Sequence, residues 1–181
     1  MSTPNRNTPV PRETTRRTFL QLAALGGGAS LLAAMTSTAE GRTASSTDAL
    51  LLSCMDYRLM DDIERYMSGR GLRDKYDHVV LAGASLGAIT DKYPAWNQTF
   101  WEHLDIAIKL HAIRTVILMD HRDCGAYKVI LGAQHAENPV VERDTHATQL
   151  KKLKGMIGKR HPTLEVELLL MSLDGRAEVI S

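Results

Sequence analysis

Two short apolar segments, each followed at once by a cysteine-containing motif, constrain the fold of this chain more than any other feature. Residues 49–53 (ALLLS) precede the motif CMDYR at 54–58, and residues 115–120 (TVILMD) precede HRDCG at 121–125. Apolar runs of this length are typical of buried strands. Loops at the carboxyl ends of neighbouring parallel strands converge on one crevice. We therefore expect Cys54 and Cys124 to meet in one cleft of a parallel sheet.

The rest of the chain alternates between helical and strand patterns. Apolar residues recur at helical spacing over residues 59–67, 97–111 and about 141–158, and a short helix is expected to open at residue 125. Two further strand-like runs are residues 78–82 and 164–171, and the second suits a central or next-to-edge strand. This order predicts an α/β fold, with a small, mostly parallel sheet flanked by helices and joined by right-handed crossovers.

Cys54, His121 and Cys124 are the candidate metal ligands. Two soft thiolates and one imidazole suit zinc. Three protein ligands leave a fourth tetrahedral position for water, which is the arrangement of a catalytic rather than a structural site. The H-x-x-C spacing also allows two ligands of one loop to turn toward one ion. We therefore predict a Zn²⁺ site held by these three residues.

The motifs resemble those of the β-class carbonic anhydrases, whose C-x-D-x-R and H-x-x-C patterns are matched here by Cys54, Asp56, Arg58, His121 and Cys124. The resemblance covers roughly residues 49 to 181. It implies a β-carbonic-anhydrase-like fold and a zinc enzyme that hydrates carbon dioxide reversibly to bicarbonate through zinc-bound hydroxide. It also implies a homodimer or a higher homo-oligomer.

The same resemblance assigns catalytic roles to Asp56 and Arg58. In the family, the matching arginine pairs with the matching aspartate and keeps it away from the metal, and the carboxylate accepts a hydrogen bond from zinc-bound hydroxide. Some members instead let the aspartate bind zinc and close the site, so Asp56 is also a possible fourth ligand. Tyr57 stands where a small residue is usual, and its phenol could narrow the pocket or donate a hydrogen bond.

Departures from the family leave the substrate open. The glutamine that usually helps to bind carbon dioxide has no evident counterpart, and residues 82–85 (AGAS) replace an Asn-rich turn. A less polar pocket is compatible with hydrolysis of carbonyl sulfide or carbon disulfide on the same fold. A non-catalytic, exported zinc-binding protein is a further alternative. A phosphatase or sulfurtransferase loop is disfavoured, because C-x-x-x-R is too short to wrap an oxyanion with backbone amides.

Residues 1–39 are interpreted as a twin-arginine signal peptide. The motif TRRTFL at 15–20 leads into a modestly apolar stretch, residues 20–35, that contains three successive glycines. That stretch is too short and too rich in Gly and Ala to favour a permanent membrane span, so none is expected after cleavage. Residues 40–48 form a polar linker before the domain at 49–181. The signal predicts export by the twin-arginine route to the periplasm or beyond the cell.

Composition narrows the possible partners. A chain of 181 residues with 44% hydrophobic and 24% charged residues fits a single globular domain. Residues 1–39 hold four arginines and one glutamate, so the remainder is close to neutral and has no basic stripe. This argues against nucleic acid as a partner. An oxidising destination would favour a disulfide between the two cysteines, but zinc ligation of both thiolates would prevent it.

Overall fold

A five-stranded sheet forms the framework of residues 47–181, the part of the chain that the computed structural model describes. In the order β2-β1-β3-β4-β5, the first four strands pair in parallel and the last pair is antiparallel. The strands are β1 (Ala49–Ser53), β2 (Tyr76–Val80), β3 (Thr115–His121), β4 (Glu165–Met171) and β5 (Ala177–Val179). The predicted α/β class and mostly parallel sheet are confirmed. The sequence pattern missed β5, and its pairing makes β4 a next-to-edge strand.

Five helices connect and cover these strands in the described residues. They are α1 (Met60–Gly69), α2 (Ala84–Gly87), α3 (Pro94–His111), α4 (Gly125–Leu131) and α5 (Pro139–Arg160), with 3₁₀ turns at Tyr57–Leu59 and Ala133–Ala136. Both long helices begin earlier than their apolar periodicity predicted, because each starts at a proline, which suits the first helical position. The side chain of Asn138 caps α5 by accepting the N–H groups of Val140 and Val141.

Both faces of the sheet are buried, which explains the unbroken apolar strands. Leu50 and Leu52 face a core that includes Phe100 of α3 and Leu153 of α5. The alternate residues of β1 face a smaller core against α1, which contributes Ile63 and Met67. Side chains alternate across a strand, so one short apolar run supplies both cores.

The topology places the two motifs side by side. Strand β1 lies between β2 and β3, and its last residue, Ser53, is in register with Met119 of β3. The chain therefore reverses its strand order at the β1–β3 pair, where the carboxyl ends of parallel strands form a crevice. Cys54 follows β1 directly, and His121 ends β3.

The predicted signal peptide, residues 1–39, and residues 40–46 of the predicted linker lie outside the described residues. Across residues 47–181, no helix combines the length and the apolar character that a membrane crossing requires.

Replacing Gly87 with Ala is expected to destabilise the fold. A methyl group at Gly87 would overlap the backbone carbonyl oxygen of Ala82, which cannot move aside as a flexible side chain could. Overpacking of this kind costs about 1–3 kcal/mol. Gly69→Ala is the matched control, because no atom lies within 4 Å of the added methyl group. Denaturant unfolding of both variants tests this expectation, and equal stabilities would contradict it.

Candidate metal centre

Cys54, His121 and Cys124 form one cluster of possible ligands at the carboxyl ends of β1 and β3. Their candidate ligand atoms all lie within 4.8 Å of one another, and all three residues are buried. The two sulfur atoms are 3.9 Å apart and both cysteines are free thiols. Two sulfurs bound to one tetrahedral zinc at ~2.3 Å would be roughly 3.8 Å apart. The three residues could therefore hold a metal ion, in the combination that the sequence predicted.

The imidazole of His121 is oriented for ligation. Its Nδ1 lies 2.8 Å from the carbonyl oxygen of Arg122, so Nδ1–H donates and the lone pair is on Nε2. The Nε2 atom is buried and has no hydrogen-bond partner among the described residues. Buried polar atoms are normally satisfied, and backbone anchoring of the second nitrogen is usual for histidine ligands. The unsatisfied Nε2 thus fits a metal ion.

The protonation of the cluster also fits a cation. A hydrogen bond from the Cys124 thiol lowers the pKa of Cys54 well below its usual range despite burial, and the Gly83 N–H, 3.3 Å from the Cys54 sulfur, acts in the same direction. The pKa of Cys124 is raised because its thiol donates to the Cys54 thiolate and is buried. The two shifts are opposite because one sulfur accepts the hydrogen bond that the other donates. A bound divalent ion would favour the thiolate form of both.

Asp56 and Arg58 form a bidentate ion pair beside this cluster. Arg58 Nε lies 2.9 Å from Asp56 Oδ1, and Arg58 Nη2 lies 2.7 Å from Oδ2. This side-chain hydrogen bonding lowers the pKa of Asp56 to about 2. The Oδ2 atom is 3.8 Å from the free Nε2 of His121. The carboxylate is therefore ionised and next to the ligand cluster, while both of its oxygens are engaged by arginine.

Sequence analysis missed the role of Asp123, which holds the far side of Arg58. Asp123 Oδ2 accepts from Arg58 Nη1 at 2.9 Å, and its carbonyl oxygen accepts from Nη2 at 3.2 Å. Lys128 binds the other carboxylate oxygen of Asp123. Arg58 is thus fixed between two carboxylates, one from each motif. The only signal in the sequence is the position of Asp123 inside the H-x-x-C segment.

Cys54 and Asp56 line a pocket of about 390 Å³, and most of the surface of this pocket is apolar. Tyr57 lies at this pocket, as the sequence suggested, but remains 86% exposed. A concave apolar site with a few polar groups suits a small non-polar molecule. The lining residues are Cys54, Met55, Asp56, Tyr57, Ala82, Tyr93, Trp96, Gly125, Ala126, Val129 and Ile130.

The fold is that of the β-carbonic anhydrases. Carbonic anhydrase from Streptococcus mutans is 17% identical and aligns with a TM-score of 0.51, covering 75% of this chain and 82% of its own. A β-carbonic anhydrase of Aspergillus fumigatus is 15% identical, with a TM-score of 0.51 and 76% of each chain covered. At these identities the likeness establishes the fold alone.

The family follows from the sequence comparisons. The model of the family described as "Putative carbonic anhydrase" matches residues 44–181, and the chain belongs to this family. An uncharacterised protein of Rickettsia conorii is 40% identical over 139 residues, which is 77% of this chain and 75% of that protein. The resemblance drawn from the two motifs is confirmed at the level of family and fold.

Proposed function

We propose that this protein is a zinc-dependent carbonic anhydrase that reversibly hydrates carbon dioxide to bicarbonate. The observation that carries the proposal is the cluster of Cys54, His121 and Cys124, with ligand atoms within 4.8 Å of one another, beside an ionised aspartate. These three residues would hold the ion. Bound zinc supplies a Lewis acid that can bring the pKa of water to ~7, which makes hydroxide available at neutral pH.

Asp56 and Arg58 would orient the attacking water. The Asp56 carboxylate, ionised because its pKa is about 2, can accept a hydrogen bond from that water. Accepting the hydrogen directs an oxygen lone pair toward the substrate carbon. The two hydrogen bonds from the Arg58 side chain hold the carboxylate off the ligand cluster. We therefore favour an open site, in which Asp56 is not a fourth ligand.

The apolar pocket would receive the substrate. Carbon dioxide is linear and non-polar, so it can leave water for the apolar surface that Trp96 and Ile130 help to form. The same lining supports a second candidate function, the hydrolysis of carbonyl sulfide or carbon disulfide. These substrates are also linear, carbon disulfide is non-polar and carbonyl sulfide only weakly polar, and the pocket carries few polar groups that would discriminate against sulfur.

Turnover of the three substrates by the zinc-loaded protein tests these functions. Stopped-flow hydration of carbon dioxide well above the buffer rate is the expected result, with slower or absent consumption of the sulfur-containing substrates. Faster turnover of carbonyl sulfide or carbon disulfide would establish the second function instead. Bound zinc with no turnover of any of the three would favour a zinc-binding protein and overturn the proposal.

We also propose that the protein assembles as a homodimer or a higher homo-oligomer. Around the pocket, the large apolar side chains of Met55, Tyr57 and Val129 are each more than 60% exposed. Exposed apolar groups that rim a pocket are typical of surfaces that a partner covers. Light scattering after size exclusion should give at least twice the mass of one chain. A single-chain mass across the accessible concentration range would contradict this proposal.

Export by the twin-arginine route is proposed from the sequence alone. Exchanging Arg16 and Arg17 together for Lys should retain the precursor inside the cell, because the address is read through paired guanidinium groups. Arg6→Lys with Arg12→Lys is the matched control, since it makes the same exchange in the same segment outside the motif. Fractionation of tagged protein measures the outcome. Equal export of both double variants would show that another route is used.

A further inference from the structure

A buried carboxylate, that of Asp120, immediately precedes the His121 ligand in β3. Asp120 is 1% exposed, yet it lies at the end of an otherwise apolar run. A buried carboxylate is retained only when its oxygens are satisfied. Four groups surround its oxygens: the Ser85 N–H at 3.0 Å, the Ser85 hydroxyl at 2.6 Å, the Tyr127 hydroxyl at 2.5 Å and His146 Nδ1 at 3.0 Å.

Two of these partners belong to the segments that approach the thiolates. Ser85 lies two residues after Gly83, whose N–H donates to the Cys54 sulfur at 3.3 Å. Tyr127 lies in the first turn of α4, the helix that begins directly after Cys124. Asp120 is therefore tied both to the segment whose N–H donates to Cys54 and to the helix that follows Cys124.

The two segments also pack against each other, so the position of one depends on the other. A methyl group built on Gly83 would lie 3.2 Å from Cβ of Ala126 and 3.9 Å from a ring carbon of Tyr127. The hydroxyl oxygens of Ser85 and Tyr127 are 3.2 Å apart. The side chains of Asp120, Ser85, Tyr127 and His146 are all buried. Asp120 is the shared acceptor that fixes this contact.

We propose that Asp120 is a positioning residue of the metal centre, which holds the Gly83 N–H against the Cys54 sulfur and fixes the first turn of the helix that follows Cys124. The inference rests on the proposed metal site, but not on which reaction the site performs. An N–H bond to a thiolate withdraws negative charge from the sulfur, and so adjusts how strongly the sulfur donates to the ion. Outer partners of metal ligands commonly change metal affinity by ~10–100-fold when they are removed.

The test uses the purified protein with two metal probes and requires no turnover. The variant Asp120→Asn replaces one carboxylate oxygen, which accepts hydrogen bonds, with an NH₂ group, which donates them. That NH₂ group would face groups that already donate to Asp120. We expect the zinc affinity of this variant, measured by chelator competition, to fall by ~10–100-fold, because the segments next to the two cysteines are no longer held in place by a shared acceptor. With Co²⁺ in place of zinc, the sulfur-to-metal charge-transfer band should move to longer wavelength, because thiolates that lose N–H bonds are more electron-rich. Ser85→Ala and Tyr127→Phe each remove one donor and should produce smaller shifts in the same direction.

Leu153→Ala is the structural control, because it opens a fully buried position on α5 without removing any partner of Asp120. This variant should lower the free energy of unfolding and leave the wavelength of the cobalt charge-transfer band unchanged. The inference would be overturned if Asp120→Asn kept the zinc affinity and the cobalt band of the parent. If Asp120→Asn does not fold, the same result in both Ser85→Ala and Tyr127→Phe would overturn it. An equal band shift in Leu153→Ala would overturn it as well. A parent protein that binds neither ion would overturn the metal site itself, which is a separate result visible without any variant.

Discussion

The variant Cys124→Ser is expected to lose both bound zinc and carbon dioxide hydration. Serine replaces a thiolate with a neutral hydroxyl, so the cluster keeps only Cys54 and His121 as ligands. Metal binding and folding are coupled, because the cluster is assembled only in the native state. Zinc at a hundredfold over its Kd would stabilise the parent by ~2.7 kcal/mol, and this increment should disappear in the variant. Metal analysis and denaturant unfolding with and without zinc measure the two effects.

A histidine pair supplies the matched control for this experiment. His121→Gln removes a candidate ligand and should behave like Cys124→Ser. His103→Gln removes an exposed imidazole on α3, whose Nδ1 contacts the Thr99 carbonyl oxygen, and should keep both zinc and turnover. An unchanged zinc content in Cys124→Ser would show that the ion is bound elsewhere, and the assignment of the cluster would fail.

Loss of either partner of the Asp56–Arg58 pair is expected to slow hydration by ~10²–10⁴-fold while zinc is retained. Asp56→Ala removes the acceptor that would orient water but leaves every candidate ligand in place. Arg58→Ala releases the Asp56 carboxylate, whose Oδ2 is already 3.8 Å from His121 Nε2. That carboxylate should then become a fourth protein ligand. Both variants should be slow, for different reasons.

X-ray absorption at the zinc edge separates the two causes. Only Arg58→Ala should gain a carboxylate oxygen and lose the exchangeable ligand. Asp62→Ala and Arg65→Ala are matched controls, because they remove another acid–arginine pair of short sequence separation on α1. Those two variants should hydrate carbon dioxide at the rate of the parent protein. Parental rates in both Asp56→Ala and Arg58→Ala would leave the pair without a catalytic role.

The candidate ligands could be predicted from the sequence because each lies at, or within three residues of, the carboxyl end of a strand with a strong local signal. Cys54 follows β1 and His121 ends β3, so the strand order alone brings them together. The pairing of Asp56 with Arg58 spans two residues, and the family resemblance anticipated it. Asp123 and Asp120 were not predictable in this way, because their partners come from distant segments. Arg58 is 65 residues from Asp123, and Ser85 is 35 residues from Asp120.

The errors in the secondary structure have local physical causes. Strand β5 has three residues, which is too short for a period of two to be detected, and only its pairing with β4 defines it. Helix α3 starts at Pro94 and α5 at Pro139, before their apolar periodicity begins. The small-residue turn after β2 contains the short helix α2, whose residues are all buried. In each case tertiary contacts or capping, rather than periodicity, set the element.

Titration of metal-free protein with zinc, followed by hydration of carbon dioxide, tests the central claim most directly. Protein stripped of metal by a chelator should be inactive. Activity should then rise in proportion to added zinc and stop rising at one zinc ion per chain, since Cys54, His121 and Cys124 form the only such cluster found in residues 47–181. Full activity before zinc is added, or one bound zinc per chain with no hydration, would contradict the account.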